Sequence, residues 1–168
     1  MASASSAAIA LRPVGPADRE FLFRVYASTR AQEMALVGWT EEQKQSFLLQ
    51  QFAAQSADWG QNHAGADLRI IEVDGVPAGR FYVDRGAEEL CLVDIALLPE
   101  YRRCGIGTGL IRSLLAEGRA RSLPVTLHVE VFNLARGLYE RLGFRAVADR
   151  GVYVFMRWLP GTFDGGIS

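Results

Sequence analysis

The feature that most constrains the fold is a strand that leads through a glycine-rich turn into a helix. Residues Leu90–Leu98 form a nearly continuous apolar run, which suits a strand covered on both faces. The turn that follows, Pro99–Gly109, reads PEYRRCGIGTG, and apolar residues recur at helical spacing beyond it. This junction predicts an α/β fold with a helix over Gly105–Arg121.

Periodicity and turn residues predict the element order βααβββαβαββ along the chain. Thr40–Gln43 has the form of a capping box that opens the second helix, and Asp74–Gly75 is a dipeptide favoured in tight hairpins. The remaining predicted elements are a strand over Ile9–Val14, a helix from Pro16 to about Arg30, strands over Arg69–Val73 and Ala78–Asp84, a strand over Val125–Phe132, a helix over Leu134–Leu142, and a hairpin of Phe144–Ala148 and Val152–Leu159.

Length and composition favour one packed domain. The 168 residues are 49% hydrophobic and 22% charged, as in an ordinary globular domain. The sequence has no internal repeat, low-complexity tract or linker. We therefore expect a single domain over 1–168, with a core of about 8–160 and flexible tails at 1–7 and 161–168.

Charge and cysteine content narrow the classes of function. The formal net charge of −1 argues against a generally basic nucleic-acid or membrane-surface binder, so any anion site must be local. No apolar stretch reaches about 18 residues, and the first residues lack the features of a secretory signal. Cys91 and Cys104 form neither a metal-spaced set nor a disulfide framework. We expect a cytoplasmic protein with two free thiols, no metal, and no nucleic-acid or membrane partner.

The glycine-rich turn has the chemistry of an anion site. Glycines let the backbone approach a ligand, the N–H groups of the first helical turn converge on one point, and the helix dipole adds about half a positive charge there. Arg102 and Arg103 would add charge-assisted hydrogen bonds. The P-loop pattern is absent, and Leu110 stands where a dinucleotide fingerprint needs its third glycine. A glycine-rich turn that binds nothing is the alternative.

Two motifs around this turn resemble those of a known family. Leu97–Gly107 is similar to the acetyl-CoA signature of the GNAT superfamily of N-acyltransferases, with Arg102, Gly105 and Gly107 at its three fixed positions. Downstream, Ala135–Phe144 resembles the family's Ala-x-x-x-Tyr-x-x-x-Gly-Phe motif. The resemblance implies an α/β fold of the α+β type, with a central, mixed but mostly antiparallel, twisted sheet flanked by helices.

The same resemblance implies that the chain binds acetyl-CoA as co-substrate, needs no metal, and transfers the acetyl group to a primary amine.

Two departures from the family pattern matter: Phe132 stands where family members often carry Asn, and Cys104 stands where Lys or Arg is common. Asn133 is therefore either a pantetheine contact or a helix N-cap. The residues implied in CoA binding are Leu97, Arg102, Arg103, Cys104, Gly105, Ile106, Gly107, Thr108, Gly109, Asn133 and Tyr139.

Catalysis requires a base for the amine and an acid for the leaving thiolate. The resemblance places Tyr139 as the general acid, and a packed helix tyrosine is the alternative. Asp94 is the first candidate for the general base, because a carboxylate in so apolar a strand must be paired, hydrogen-bonded, protonated or at a cleft. His128 and Glu130 are the other candidates, and a water chain could serve instead. A backbone N–H near Leu97 could stabilise the oxyanion.

The acceptor site is least defined by the sequence. The resemblance implies that the segment Ser28–Thr40 lines it, which makes Tyr26, Arg30, Glu33 and Trp39 candidate substrate contacts, although Trp39 could instead pack as a hydrophobic staple. Three hypotheses remain: an amine acetyltransferase, a CoA-binding regulatory module without turnover, and a structural domain that binds nothing. We expect a monomer or a homodimer, since strands of the final hairpin could pair between subunits.

Overall fold

The structure is a computed structural model that describes residues 7–161. Apart from residues 7 and 161, the predicted flexible tails lie outside the described residues. Two short 3-10 turns, Pro16–Asp18 and Pro99–Tyr101, precede α1 and α4. The strands and helices are β1 Ile9–Pro13, α1 Arg19–Thr29, α2 Ala31–Ala35, α3 Glu41–Asn62, β2 Asp67–Val73, β3 Val76–Arg85, β4 Leu90–Leu97, α4 Ile106–Arg121, β5 Val125–Glu130, α5 Ala135–Arg141, β6 Arg145–Arg150 and β7 Tyr153–Trp158.

The strands hydrogen-bond in the order β1-β2-β3-β4-β5-β7-β6. The pairs β1–β2, β5–β7 and β6–β7 are antiparallel, whereas β4 and β5 are parallel, with Leu90 opposite Val125 and Leu92 opposite Leu127. Parallel neighbours need a long crossover connection, and α4 supplies it. The predicted fold class, α/β with a mixed but mostly antiparallel sheet, is confirmed.

Contacts divide the chain into two compact units. The first runs to Tyr82 and includes Asp94–Cys104, and the second comprises Val83–Val93 and the residues from Gly105 onward. That the chain is one acetyltransferase domain stays a prediction.

The first unit has its own core of aromatic and aliphatic side chains. Val25 is fully buried, and the Phe52 ring of α3 packs 5.6 Å from Phe23 and 5.7 Å from Tyr26, both on α1. Arg12 on β1 forms two hydrogen bonds with Asp18, at 2.9 and 2.8 Å. Because Asp18 immediately precedes α1, this pair connects β1 with the start of the helix.

The second unit packs α4 against a buried tryptophan. Trp158 is fully buried, and the Arg119 guanidinium lies 5.2 Å from its ring centroid. A methyl group at Gly118 would lie 2.9 Å from both the Trp158 ring and the Leu123 carbonyl oxygen. Glycine therefore lets α4 approach this part of the unit closely.

The structure differs from the predicted elements in several places. Residues 31–35 form α2, where a connecting segment was expected, and its composition AQEMA favours helix. Strand β5 ends at Glu130, two residues early, because the chain turns there and Asn133 N–H donates to the Glu130 carbonyl at 2.9 Å. Strand β6 covers 145–150 instead of 144–148, and Gly151 follows it with a φ of 76°.

Residues 7–161 contain neither a membrane-spanning helix nor a cluster of metal ligands. None of the helices there is both long and apolar enough to cross a membrane. The same residues contain no group of three or more His, Cys, Asp or Glu side chains that could hold a metal ion.

Candidate active site

The segment after β4 reverses direction before α4 begins. Tyr101 N–H donates to the Leu98 carbonyl at 2.9 Å, which closes the short 3-10 turn. Arg103 and Gly105 then adopt left-handed backbone angles, with φ of 61° and 80°. Gly105 takes this conformation without steric cost, whereas Arg103 is strained. Gly105 is followed directly by Ile106, the first residue of the right-handed helix α4. A left-handed and a right-handed residue in succession turn their N–H groups to the same side, which is a backbone geometry typical of anion sites.

The amides at the start of α4 lie ahead of the helical hydrogen-bond ladder. The first bond of that ladder joins the Gly109 N–H to the Gly105 carbonyl at 3.0 Å. The N–H groups of Ile106, Gly107 and Thr108 precede it, so they have no acceptor within the helix. An added methyl group at Gly105 or Gly109 would meet no atom within 4 Å, so the surface at these two glycines is open. The predicted CoA-binding amides are therefore adjacent at an open helix N-terminus.

The side chains of this turn hold the turn itself. Arg102 Nε donates to the Leu97 carbonyl at 2.9 Å, and its Nη2 donates to Ser28 Oγ at 3.1 Å. Cys104 Sγ donates to the Arg102 carbonyl at 3.3 Å. Two of the five N–H donors of Arg102 thus bind the protein, and its predicted contact with the anion stays a prediction. Arg103 is exposed.

The second motif forms a short capped helix around Tyr139. Asn133 Oδ1 accepts from the Ala135 N–H at 2.8 Å at the start of α5, which supports the capping interpretation of Asn133. The Phe144 N–H donates to the Tyr139 carbonyl at 3.0 Å at the end of the helix, where Gly143 has a φ of 104°. Tyr139 is 8% exposed, and its ring packs edge-on to Phe144 at 5.8 Å. This geometry accounts for the motif's spacing, and the role of Tyr139 as general acid stays a prediction.

The three candidate bases lie in different environments. Asp94 Oδ2 accepts from Arg80 Nε at 2.6 Å, so Asp94 is ion-paired, one of the outcomes expected for it. His128 Nε2 lies 3.0 Å from Arg150 Nη1. A positively charged guanidinium thus lies beside the imidazole ring. Glu130 is half-buried at the end of β5.

The predicted acceptor residues belong to the first unit. Tyr26 is 4% exposed and packs on Phe52, which favours a packing role. Arg30 lies over the Tyr26 ring at 5.7 Å and pairs with Glu33 at 3.3 Å. Trp39 is 42% exposed and packs edge-on to Phe47 at 5.3 Å, so part of its surface stays accessible. Their substrate contacts stay predictions.

Sequence reasoning missed the partner of Asp94. Arg80 is 2% exposed, and its guanidinium lies 5.0 Å from the Trp59 ring centroid and 5.6 Å from that of Tyr82. Burial raises the pKa of Tyr82, while the nearby Arg80 charge opposes that rise. The available signal was an arginine inside the apolar run of β3, since a buried charge requires an opposite charge on a neighbouring element.

An α/β sheet whose central strand ends at an open, glycine-rich helix N-terminus is typical of proteins that bind anionic ligands. Comparison with known proteins then identifies the family: residues 27–144 match the model of the acetyltransferase (GNAT) family, and the chain belongs to it. The predicted resemblance is confirmed.

A curated relative adds detail. The ribosomal protein bS18-alanine N-acetyltransferase of Haemophilus influenzae is 37% identical over 88 residues, which are 52% of this chain and 60% of that protein. The match thus spans less than two thirds of the relative's length.

Solved structures share the fold at lower identity. The PaiA N-acetyltransferase of Thermoplasma acidophilum, in complex with coenzyme A, has a TM-score of 0.68 at 19% identity, over 90% of this chain and 99% of that one. The ribosomal-protein-S18-alanine N-acetyltransferase of Escherichia coli has a TM-score of 0.61 at 18% identity, over 96% of this chain and 99% of that one.

Proposed function

We propose that the chain is an acetyl-CoA-dependent N-acetyltransferase that moves an acetyl group to a primary amine by direct attack. The observation that carries the proposal is the turn between β4 and α4. Its sequence Arg102-x-x-Gly105-x-Gly107 follows the family signature, and its backbone amides lie open at the helix N-terminus. Membership of the acetyltransferase family supports the same function.

In this proposal the amides of residues 103–108, which precede the hydrogen-bond ladder of α4, bind the diphosphate of CoA. The dipole of α4, a helix of 16 residues, favours the negative charge there. The arm that carries the thioester lies along the backbone of β4, where Val93–Leu97 are only half-buried. The strand would thereby direct the acetyl group away from the turn and toward the acceptor.

The reaction then needs two proton transfers. An amine of ordinary pKa, about 10, must lose a proton before its nitrogen attacks the thioester carbonyl. Asp94, His128 and Glu130 stay the candidate bases, and the amide near Leu97 is the candidate oxyanion donor. The attack forms the carbon–nitrogen bond and gives a tetrahedral intermediate with a negatively charged oxygen. Collapse of this intermediate breaks the carbon–sulfur bond, and Tyr139 protonates the departing thiolate.

The acceptor is proposed from the curated relative. That protein is named for acetylating an alanine of a ribosomal protein, and it shares 37% identity over the matched 88 residues. A free α-amino group on an N-terminal alanine is therefore the first acceptor to test. Small amines, amino acids and aminoglycosides follow, since the residues of the predicted acceptor site do not select among them.

The direct test is thiol release from acetyl-CoA across a panel of these acceptors, with mass spectrometry of the acetylated product. We expect turnover with at least one acceptor class. Binding of acetyl-CoA without turnover on any acceptor would favour the regulatory module instead. Absence of acetyl-CoA binding would leave only the structural domain. A cytoplasmic location and a monomeric or homodimeric state stay predictions.

A further inference from the structure

A buried cation on β3 is fixed from several directions. Arg80 donates from Nε to Asp94 Oδ2 at 2.6 Å and from Nη2 to Gln55 Oε1 at 3.2 Å. Its guanidinium also lies over the rings of Trp59 and Tyr82, at 5.0 and 5.6 Å. Gln55 and Trp59 are both on α3, so two elements besides β3 hold the side chain. These contacts give Arg80 a single well-defined orientation.

The two members of the ion pair differ in exposure. The side chain of Arg80 is 3% exposed, whereas that of Asp94 is 23% exposed. A carboxylate has about four acceptor positions, and the bond from Arg80 uses one of them. Burial raises the pKa of Tyr82, so its phenol stays neutral at neutral pH. Among Arg80, Asp94 and Tyr82, the charged group that solvent can reach is therefore the Asp94 carboxylate, and its counterion Arg80 is buried.

The position of Asp94 relates it to the proposed reaction. It lies three residues before Leu97 on the strand that leads into the glycine-rich turn, about 10 Å along the strand at about 3.3 Å per residue. The Asp94 carboxylate keeps part of its surface accessible, whereas the arginine it pairs with does not. A half-buried carboxylate on this strand can also bind a cation that arrives from solvent.

We infer that Asp94 binds the positively charged ammonium group of the acceptor, and that Arg80 is the positioning residue that fixes the Asp94 carboxylate. The inference rests on the proposed function and adds a recognition step before deprotonation. The acceptor binds as its ammonium form through a charge-assisted hydrogen bond to Asp94. A base then removes the proton as the nitrogen moves to the thioester.

The test compares two peptides that differ only in that charge. Ala-Ala-Ala-amide carries a free α-ammonium group, and its N-acetylated form does not. Binding of each to the protein saturated with CoA is measured by calorimetry, so no turnover occurs. We expect the free peptide to bind about tenfold more tightly, and Asp94→Asn to abolish that preference. An equal preference in Asp94→Asn, or no preference in the unmodified protein, would overturn the inference.

The positioning role is tested with Arg80→Lys, which keeps the charge but loses the planar fork. We expect the peptide preference to fall several-fold while the fold, followed by circular dichroism, is retained. The matched control is Arg85→Lys, since Arg85 on the same strand pairs with Glu117 at 2.7 Å in the second unit. Arg85→Lys should keep the full preference. If Arg80→Lys also keeps it, Arg80 has no positioning role.

Failure of this inference is distinguishable from failure of the proposed function. Acetyl-CoA affinity and thiol release are measured on the same Asp94→Asn protein. Unchanged acetyl-CoA binding with a lost peptide preference supports the inference. A preserved preference together with lost turnover would assign Asp94 to catalysis instead of acceptor binding.

Discussion

Gly79 on β3 should tolerate no side chain. An added methyl group would overlap the Ala96 carbonyl oxygen and lie 2.9 Å from Leu97 Cδ2 and 3.0 Å from Leu97 Cα. Two of these three atoms are backbone, so they cannot rotate away. The hydrogen bond from the Leu98 N–H to the Ala78 carbonyl, at 2.9 Å, holds the strands together beside this contact. Gly79→Ala must therefore separate β3 from the end of β4.

The expected cost follows from overpacking, which typically destabilises by about 1–3 kcal/mol. The upper value applies here because the clash is with backbone. For a chain of this size each kcal/mol lowers the melting temperature by about 2–4 °C, so Gly79→Ala should melt about 6–12 °C below the unmodified protein. Acetyl-CoA affinity should fall as well, because Ala96 and Leu97 lead into the proposed binding turn.

The assay is thermal unfolding followed by circular dichroism, with Gly60→Ala as the matched control. Gly60 lies in α3, is exposed, and would place its new methyl group more than 4 Å from any neighbour. Alanine is favoured over glycine in a helix by about 1 kcal/mol, so this variant should melt slightly higher. A Gly79→Ala protein that melts within about 2 °C of the unmodified chain would refute the packing described for β3 and β4.

Three further predictions concern the acid, a stabilising carboxylate and the thiols. Tyr139→Phe should lower kcat about 100-fold and leave the acetyl-CoA Kd unchanged, as steady-state kinetics and calorimetry would show; unaltered turnover would remove Tyr139 from the mechanism. The Arg12 guanidinium and the Gly15 amide lower the pKa of Asp18 to about 2. The stability that the ionised Asp18 contributes should therefore be complete above about pH 4 and be lost as the pH falls towards 2. Urea unfolding should show that the difference in unfolding free energy between Asp18→Asn and the unmodified protein shrinks over that range. A difference independent of pH would contradict this. Burial raises the pKa of Cys91 to about 11, so iodoacetamide at pH 8 should modify the exposed Cys104 and spare Cys91. Bound CoA should protect Cys104. If mass spectrometry finds Cys91 modified first, the packing described around Cys91 is contradicted.

Local signals in the sequence were sufficient where one segment determines its own structure. The capping box at Thr40 forms as predicted, with the Gln43 N–H 3.2 Å from Thr40 Oγ1 and the Thr40 N–H 2.9 Å from Gln43 Oε1. The glycine-rich turn lies between strand and helix as predicted, and Gly105 at the start of α4 takes a left-handed angle that suits glycine. The capping box depends only on contacts within a few residues, whereas the turn is also held by the hydrogen bond from Arg102 to Ser28, 74 positions away.

Features that depend on distant contacts or short segments were not predictable in the same way. Helix α2 has only five residues, too few for its periodicity to be recognised or for it to be stable alone. The Arg80–Asp94 pair joins residues 14 positions apart, and it depends on the register between β3 and β4. Hydrophobic periodicity alone does not supply that register.

The central claim is that backbone amides at the start of α4 bind the diphosphate of acetyl-CoA. The most direct measurement is a pair of calorimetric titrations, one with CoA and one with pantetheine, which has the thiol arm but lacks the phosphoadenosine diphosphate part of CoA. We expect CoA to bind at least about 100-fold more tightly, because several charge-assisted hydrogen bonds are lost with the diphosphate. Equal affinities for the two compounds, or no binding of CoA, would contradict it.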